Sequence, residues 1–77
     1  MILNEVQSTN IKAIGYNNLK RELYIQMINS SDFVYVYLSF PKDIYMKFMG
    51  VPSKGKFFLN NIKGKFDYVK ILKEMLR

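Results

Sequence analysis

Ser53-Lys54-Gly55-Lys56 sets a hydroxyl, a glycine and two cations in four consecutive positions. At the start of a helix such a run offers free backbone N–H groups, close approach at the glycine and two ammonium groups, which together suit a phosphate. It lacks the spacing of a P-loop, and the plainer reading is an N-cap serine followed by a glycine packed against the sheet. Lys63 and Lys65, flanking Gly64, extend the basic strip. The echo of Lys54-Gly55-Lys56-Phe57 in Lys63-Gly64-Lys65-Phe66 is too short to indicate a duplication. Tyr35 and Tyr37 share one face of a strand pattern; they are either platforms on which bases stack or packing residues whose hydroxyls reach the rim. Ser8 and Thr9 are expected to bond turn backbone, because no base other than lysine stands by to activate them.

The chain has no histidine and no cysteine, so imidazole general bases, thiol nucleophiles, disulfides, zinc fingers and Fe–S clusters are excluded together. Its 77 residues, 49% hydrophobic and 23% charged, are too apolar for disorder and too few for two cores. A domain this small has a total stability of about 4–12 kcal/mol, which leaves little to sustain a buried catalytic centre. The expectation is a single non-enzymatic module without a cofactor.

The net charge of +6 is uneven. Residues 1–41 balance Lys12, Lys20 and Arg21 against Glu5, Glu22 and Asp32, whereas residues 42–77 carry nine cations against three carboxylates. A polyanionic partner for the second half is one reading, and lysines that merely solvate helix faces are the other. The apolar run Phe33-Val34-Tyr35-Val36-Tyr37-Leu38 is far short of the roughly 20 residues of a membrane helix. The N-terminus has no basic segment leading into an apolar one, so a cytoplasmic protein without a membrane partner is expected.

The elements that must position these residues follow from periodicity. Residues 11–16 and 19–27 read as a hairpin around Asn17-Asn18, a pair tolerant of left-handed geometry. Leu23, Ile25 and Met27 alternate with Glu22, Tyr24 and Gln26, the signature of a half-buried antiparallel strand. After the turn-forming Asn29-Ser30-Ser31-Asp32 comes a third strand, residues 33–40, apolar on both faces. Left at a sheet edge it would be a pairing hazard, so it must be covered by the C-terminal half or by another subunit, and a homo-oligomer is expected.

Pro41 and Asp43 open a short helix over residues 41–49, with Gly50 placed to end it. Ser53 caps a second over residues 54–62, which Gly64 breaks. For the remainder, Asp67 can cap an amphipathic helix over residues 68–76, with Val69, Leu72 and Leu76 in one stripe. A fourth strand over residues 65–71 is the alternative, given the β-propensity of Phe66, Tyr68 and Val69. The helix-forming run from Ile71 to Leu76 favours the helix. The expected class is α+β: a three-stranded antiparallel meander, two short helices and a C-terminal helix.

In this order the segments Gln7-Ser8-Thr9-Asn10-Ile11, Ala13-Ile14-Gly15-Tyr16, Leu23-x-Ile25-x-Met27, Tyr35-Val36-Tyr37, Ile44-Tyr45, Ser53-x-Gly55-x-Phe57 and Ile62 resemble the KTSC family. These are small domains found alone in bacterial and phage proteins and at the C-terminus of some lysyl-tRNA synthetases. The resemblance spans about residues 6–68. Ser8-Thr9 replaces a paired serine, and Asn29-Ser30-Ser31-Asp32 stands where the family more often has a glycine. Residues 69–77 fall outside it and read as a helical extension of the domain over residues 1–77. The synthetase attachment implies RNA binding by analogy alone.

The functional expectation is therefore an anion-binding module, for nucleic acid or a nucleotide, using Ser53, Lys54, Gly55, Lys56, Lys63 and Lys65 with Tyr35 and Tyr37. The second expectation is a phage-type host-interaction protein that inhibits or sequesters a component of a bacterial defence system through a protein partner.

Overall fold

Five segments of the chain pair edge to edge as the strands of one sheet. A computed structural model describes residues 3–76. The strands are β1 (Asn4–Glu5), β2 (Ile11–Asn17), β3 (Glu22–Met27), β4 (Phe33–Tyr37) and β5 (Tyr68–Leu72). Helices α1 (Lys42–Gly50) and α2 (Lys54–Asn61) lie between β4 and β5, and single 3₁₀ turns occupy Ile28–Ser30 and Lys73–Met75. The sheet order is β1-β2-β3-β4-β5, every neighbour antiparallel. The α+β class holds, with a five-stranded meander in place of the expected three strands.

One face of the sheet carries Ile11, Ile14, Leu23, Ile25 and Tyr37, which close with Phe40, Phe48, Phe58 and Ile62 into the main core. Ile11 and Ile14 are three apart, a spacing that sends a regular strand's side chains to opposite faces. A register shift between Ile11 and Ala13 returns both to the helix side. The opposite face buries Tyr24, Val34 and Val36 beneath Leu3, Leu38, Ile71 and Leu76. β4, expected as the third strand, is thus apolar on both faces because it is covered on both.

The helices follow their sequence signals with small displacements. Pro41, extended at φ −67°, precedes α1, and Asp43 stands in its first turn. Gly50 is the last helical residue and not a left-handed stop; Val51 resumes extended backbone. Ser53 caps α2 by accepting a hydrogen bond from the Lys56 N–H at 3.4 Å. Gly64, at φ 78°, supplies the left-handed residue after α2. Phe48 stacks on Phe57 with ring centroids 5.3 Å apart, which locks the two helices together.

Three expectations are corrected. The hairpin turn between β2 and β3 is longer than Asn17-Asn18: the Asn17 side chain accepts from the N–H groups of Leu19 and Lys20, and the left-handed residue is Arg21 at φ 56°. The third strand stops at Tyr37 because Ser39 turns left-handed at φ 49°, a bend that brings the Phe40 N–H to the Arg21 carbonyl. The C-terminal helix over residues 68–76 is a strand and a single 3₁₀ turn; Arg77 lies outside the described residues. Helix propensities differ by tenths of a kcal/mol per residue, whereas pairing on β4 gives Tyr68–Leu72 a five-residue ladder opposite Phe33–Tyr37. The long-range partner outweighs the local preference. The β1 pairing had no counterpart in the sequence pattern.

The two buried tyrosines record this packing. Burial, followed by its hydrogen bond to Glu22, pushes the Tyr24 phenol up from 10.0 to about 12. Burial, followed by the neighbouring Tyr68 and Tyr35 phenols, pushes Tyr37 up to about 12. The unfolded chain releases both protons near pH 10 and the folded one near 12, so their contribution to stability is intact below pH 10 and lost as pH climbs toward 12. Ultraviolet titration of the six tyrosines should show two phenolates appearing near pH 12 in the folded protein and near pH 10 in urea. Tyr24→Phe and Tyr37→Phe should each remove one late step, and a single common step for all six in the folded state would contradict the packing.

Candidate functional site

The residues expected to form one anion site fall into two places that share no lining residue. The first is a polar cleft of about 360 Å³ between the β1–β2 connection, residues 7–10, and the start of α2 with Ser53, Lys54, Gly55 and Lys56. Two stretches more than forty positions apart in sequence meet here. Ser8 Oγ accepts from the N–H groups of Asn10 and Ile11 and donates to Asn10 Oδ1 at 2.9 Å, which fixes the asparagine side chain. That side chain lies against Gly55, where an added Cβ would fall 2.5 Å from Asn10 Oδ1. The glycine therefore packs against the β1–β2 loop and not against the sheet as expected, and any side chain there would displace Asn10.

The cations of this cleft are not both free for a ligand. Lys54 Nζ donates to the Val51 carbonyl at 3.0 Å and so helps to close the end of α1. The Lys56 N–H and the Ser53 hydroxyl are engaged with each other in the cap. Lys56 points its own side chain to solvent.

The second place is an aromatic pocket of about 170 Å³ between β4, β5, Phe58 of α2 and the turn that follows it, lined by Met27, Tyr35, Tyr37, Phe58, Lys63 and Tyr68. Tyr37, 2% exposed, is the floor. Its ring meets Phe58 edge-on at 5.9 Å and Tyr68 at 5.3 Å, while Tyr35 and Tyr68 stand 5.4 Å apart. These are ordinary aromatic contact geometries, and Tyr68, half exposed, forms the open lip. The outer side of Tyr35 is approached by Lys70, whose Nζ lies 5.6 Å from that ring and 4.5 Å from Phe33. Lys63 is the one charged residue of the lining and no carboxylate accompanies it.

The structure thus brings Tyr35, Tyr37 and Lys63 together and sets Ser53, Lys54, Gly55 and Lys56 apart from them. Lys65 is exposed on the turn after α2 and lines neither place. Tyr68 and Phe58 escaped the sequence reading as site residues. Tyr68 had been assigned to a helix, and its signal was the β-propensity of the run containing Phe66 and Val69.

A five-stranded meander with two helices on one face, a loop-to-helix glycine contact and a tyrosine-lined pocket defines a small α+β domain of one recognisable kind. The KTSC domain model matches residues 7–66, and the chain belongs to that family. The crystal structure of the KTSC domain protein YPO2434 from Yersinia pestis superimposes with a TM-score of 0.85 at 40% identity, covering 91% of this chain and 96% of that one. No curated protein matches. Among the described residues no helix is long and apolar enough to cross a membrane.

The Gly55 contact sets two effects against each other. Alanine in a helix is better than glycine by about 1 kcal/mol, but overpacking against a fixed neighbour costs about 1–3 kcal/mol. Gly55→Ala should therefore be neutral to destabilising in urea titrations, and Asn10→Ala in the same chain should recover part of the loss. A Gly55→Ala variant more stable than the parent by the full helix-propensity gain would show that Asn10 yields freely.

Proposed function

We propose that this KTSC domain is a binding module for a nucleotide, free or at the end of a nucleic-acid strand, and that the base enters the aromatic pocket between β4, β5 and α2. The observation that carries the reading is the lining itself: Tyr35, Tyr37, Tyr68 and Phe58 around a space of about 170 Å³, with Lys63 as its only charge. At roughly 30 Å³ per water that space corresponds to five or six waters, enough for one planar ring system. Stacking on an aromatic side chain is worth about 1–3 kcal/mol per base. Buried Tyr37, like any phenol at neutral pH, offers a hydroxyl donor at the floor of the space.

Lys63 supplies the preference for an anion over a neutral ring. Nothing in this arrangement activates a nucleophile or positions a general base, so the reading is of binding without turnover. The excess positive charge of the second half acts as a long-range attraction for the ligand rather than as a phosphate cradle.

The chain contains no tryptophan, so its intrinsic fluorescence is that of tyrosine, and three of the six tyrosines line the pocket. Titration with the four common nucleoside monophosphates, and with short single-stranded RNA and DNA, should quench it. Tyr68→Ala should weaken binding by about tenfold, the effect of losing one stacking contact of 1–3 kcal/mol, with little change in melting temperature because the ring is half exposed. Lys63→Gln should weaken it and reduce the slope of log affinity against log salt by about 0.7–0.9. Lys54→Gln with Lys56→Gln should leave affinity within about twofold at moderate salt. The reverse pattern would move the site to the polar cleft, and no binding by the parent protein to any of these ligands would favour the protein-partner reading.

A further inference from the structure

The meander moves the exposed edge of the sheet to β5, and β5 is complementary to itself. The Asp67 carbonyl accepts from the Leu38 N–H, and the Lys73 N–H donates to the Asp32 carbonyl. Residues 67 and 73 therefore direct their backbone groups toward β4. By the alternation of an antiparallel ladder so do 69 and 71, which leaves the N–H and C=O groups of Tyr68, Lys70 and Leu72 at the open edge. Val69 is 47% exposed, Tyr68 51% and Leu72 40%. Among the described residues this edge has no proline and no bulge, and its one charge is Lys70 at the centre, which leaves it a template for another strand.

We propose that a second copy of this chain pairs with β5 antiparallel about a two-fold axis through Lys70. Two-fold pairing requires each residue to face a compatible one of the same segment. About Lys70, Tyr68 faces Leu72 of the other copy, Val69 faces Ile71 and Asp67 faces Lys73. Four apolar pairs are flanked at both ends by opposite charges, and the open groups of residues 68, 70 and 72 are all satisfied across the axis. The one like-charge pair, Lys70 with Lys70, is relieved because each Nζ lies over its own Phe33 and Tyr35 rings, drawn back across β4.

Such a pairing joins two sheets into a continuous ten-stranded one with both helix layers on the same side. Tyr68 is on the helix side, so Leu72 of the second copy comes beside it and extends the lip of the aromatic pocket. The dimer does not depend on the nucleotide reading.

Sedimentation equilibrium at tens of micromolar protein tests it. The expected species is a dimer of about 18 kDa, twice the 9.1 kDa chain. Asp67→Lys and Lys73→Asp should each weaken dimerisation by about tenfold, by loss and reversal of two surface ion pairs per dimer, and the double variant should restore it. Lys70→Pro, which removes an N–H that β4 does not use, should abolish the dimer; far-UV circular dichroism verifies that each variant is folded, and the charge-reversal set decides alone if the proline variant is not. A monomer of 9.1 kDa for the parent chain at about 100 μM overturns the proposal. So does a dimer whose dissociation constant is unchanged in both single charge reversals.

Discussion

The requirement that β4 be paired on both edges and covered on both faces governs this domain. Phe33, Tyr35 and Tyr37 point to one side of the sheet and Val34 and Val36 to the other, and neither set can be left in water in so small a chain. β3 satisfies one edge as the next hairpin strand. The other can be satisfied only by returning the chain after α2, which brings Tyr68–Leu72 alongside. Everything distal follows from that return. Tyr68 comes within ring contact of Tyr35 and Tyr37, Lys63 is carried to the mouth of the space between them, and the exposed edge passes to β5.

This also explains which parts of the fold were legible in the sequence. β2, β3 and β4 announce themselves by alternation, and α1 and α2 by Pro41, Ser53 and Gly64, because these signals are local and the structure uses them locally. β5 was misread because its own residues are ambiguous: Ile71 to Leu76 is a good helical run, and only the partner strand, more than thirty positions earlier, decides otherwise. β1 is two residues long and too short to display a period. The left-handed positions Arg21 and Ser39 carry no glycine or asparagine to mark them; they are held by the Phe40 to Arg21 hydrogen bond that joins two turns.

The site was legible in its residue types more than in its grouping. Tyr35, Tyr37 and Lys63 converge, but sequence proximity had tied Lys63 to Lys54 and Lys56, which line the separate polar cleft. Ser53 and Gly55 are two of the residues by which the chain resembles its family, and the geometry gives both a structural reason: one caps α2 and the other lets Asn10 approach it. The resemblance thus rested on residues that build the domain together with Tyr35 and Tyr37 of the pocket, while Tyr68 lies just outside residues 7–66 of the family match.

In the proposed reading, the space created where β5 meets β4 receives the base of a nucleotide. A ¹H–¹⁵N correlation spectrum recorded through a titration with adenosine monophosphate tests it residue by residue. The account predicts saturable shifts at Met27, Tyr35, Phe58, Lys63 and Tyr68, with residues 7–10 and 53–56 nearly unmoved. Shifts centred on residues 7–10 and 53–56, or none anywhere at millimolar nucleotide, would contradict it.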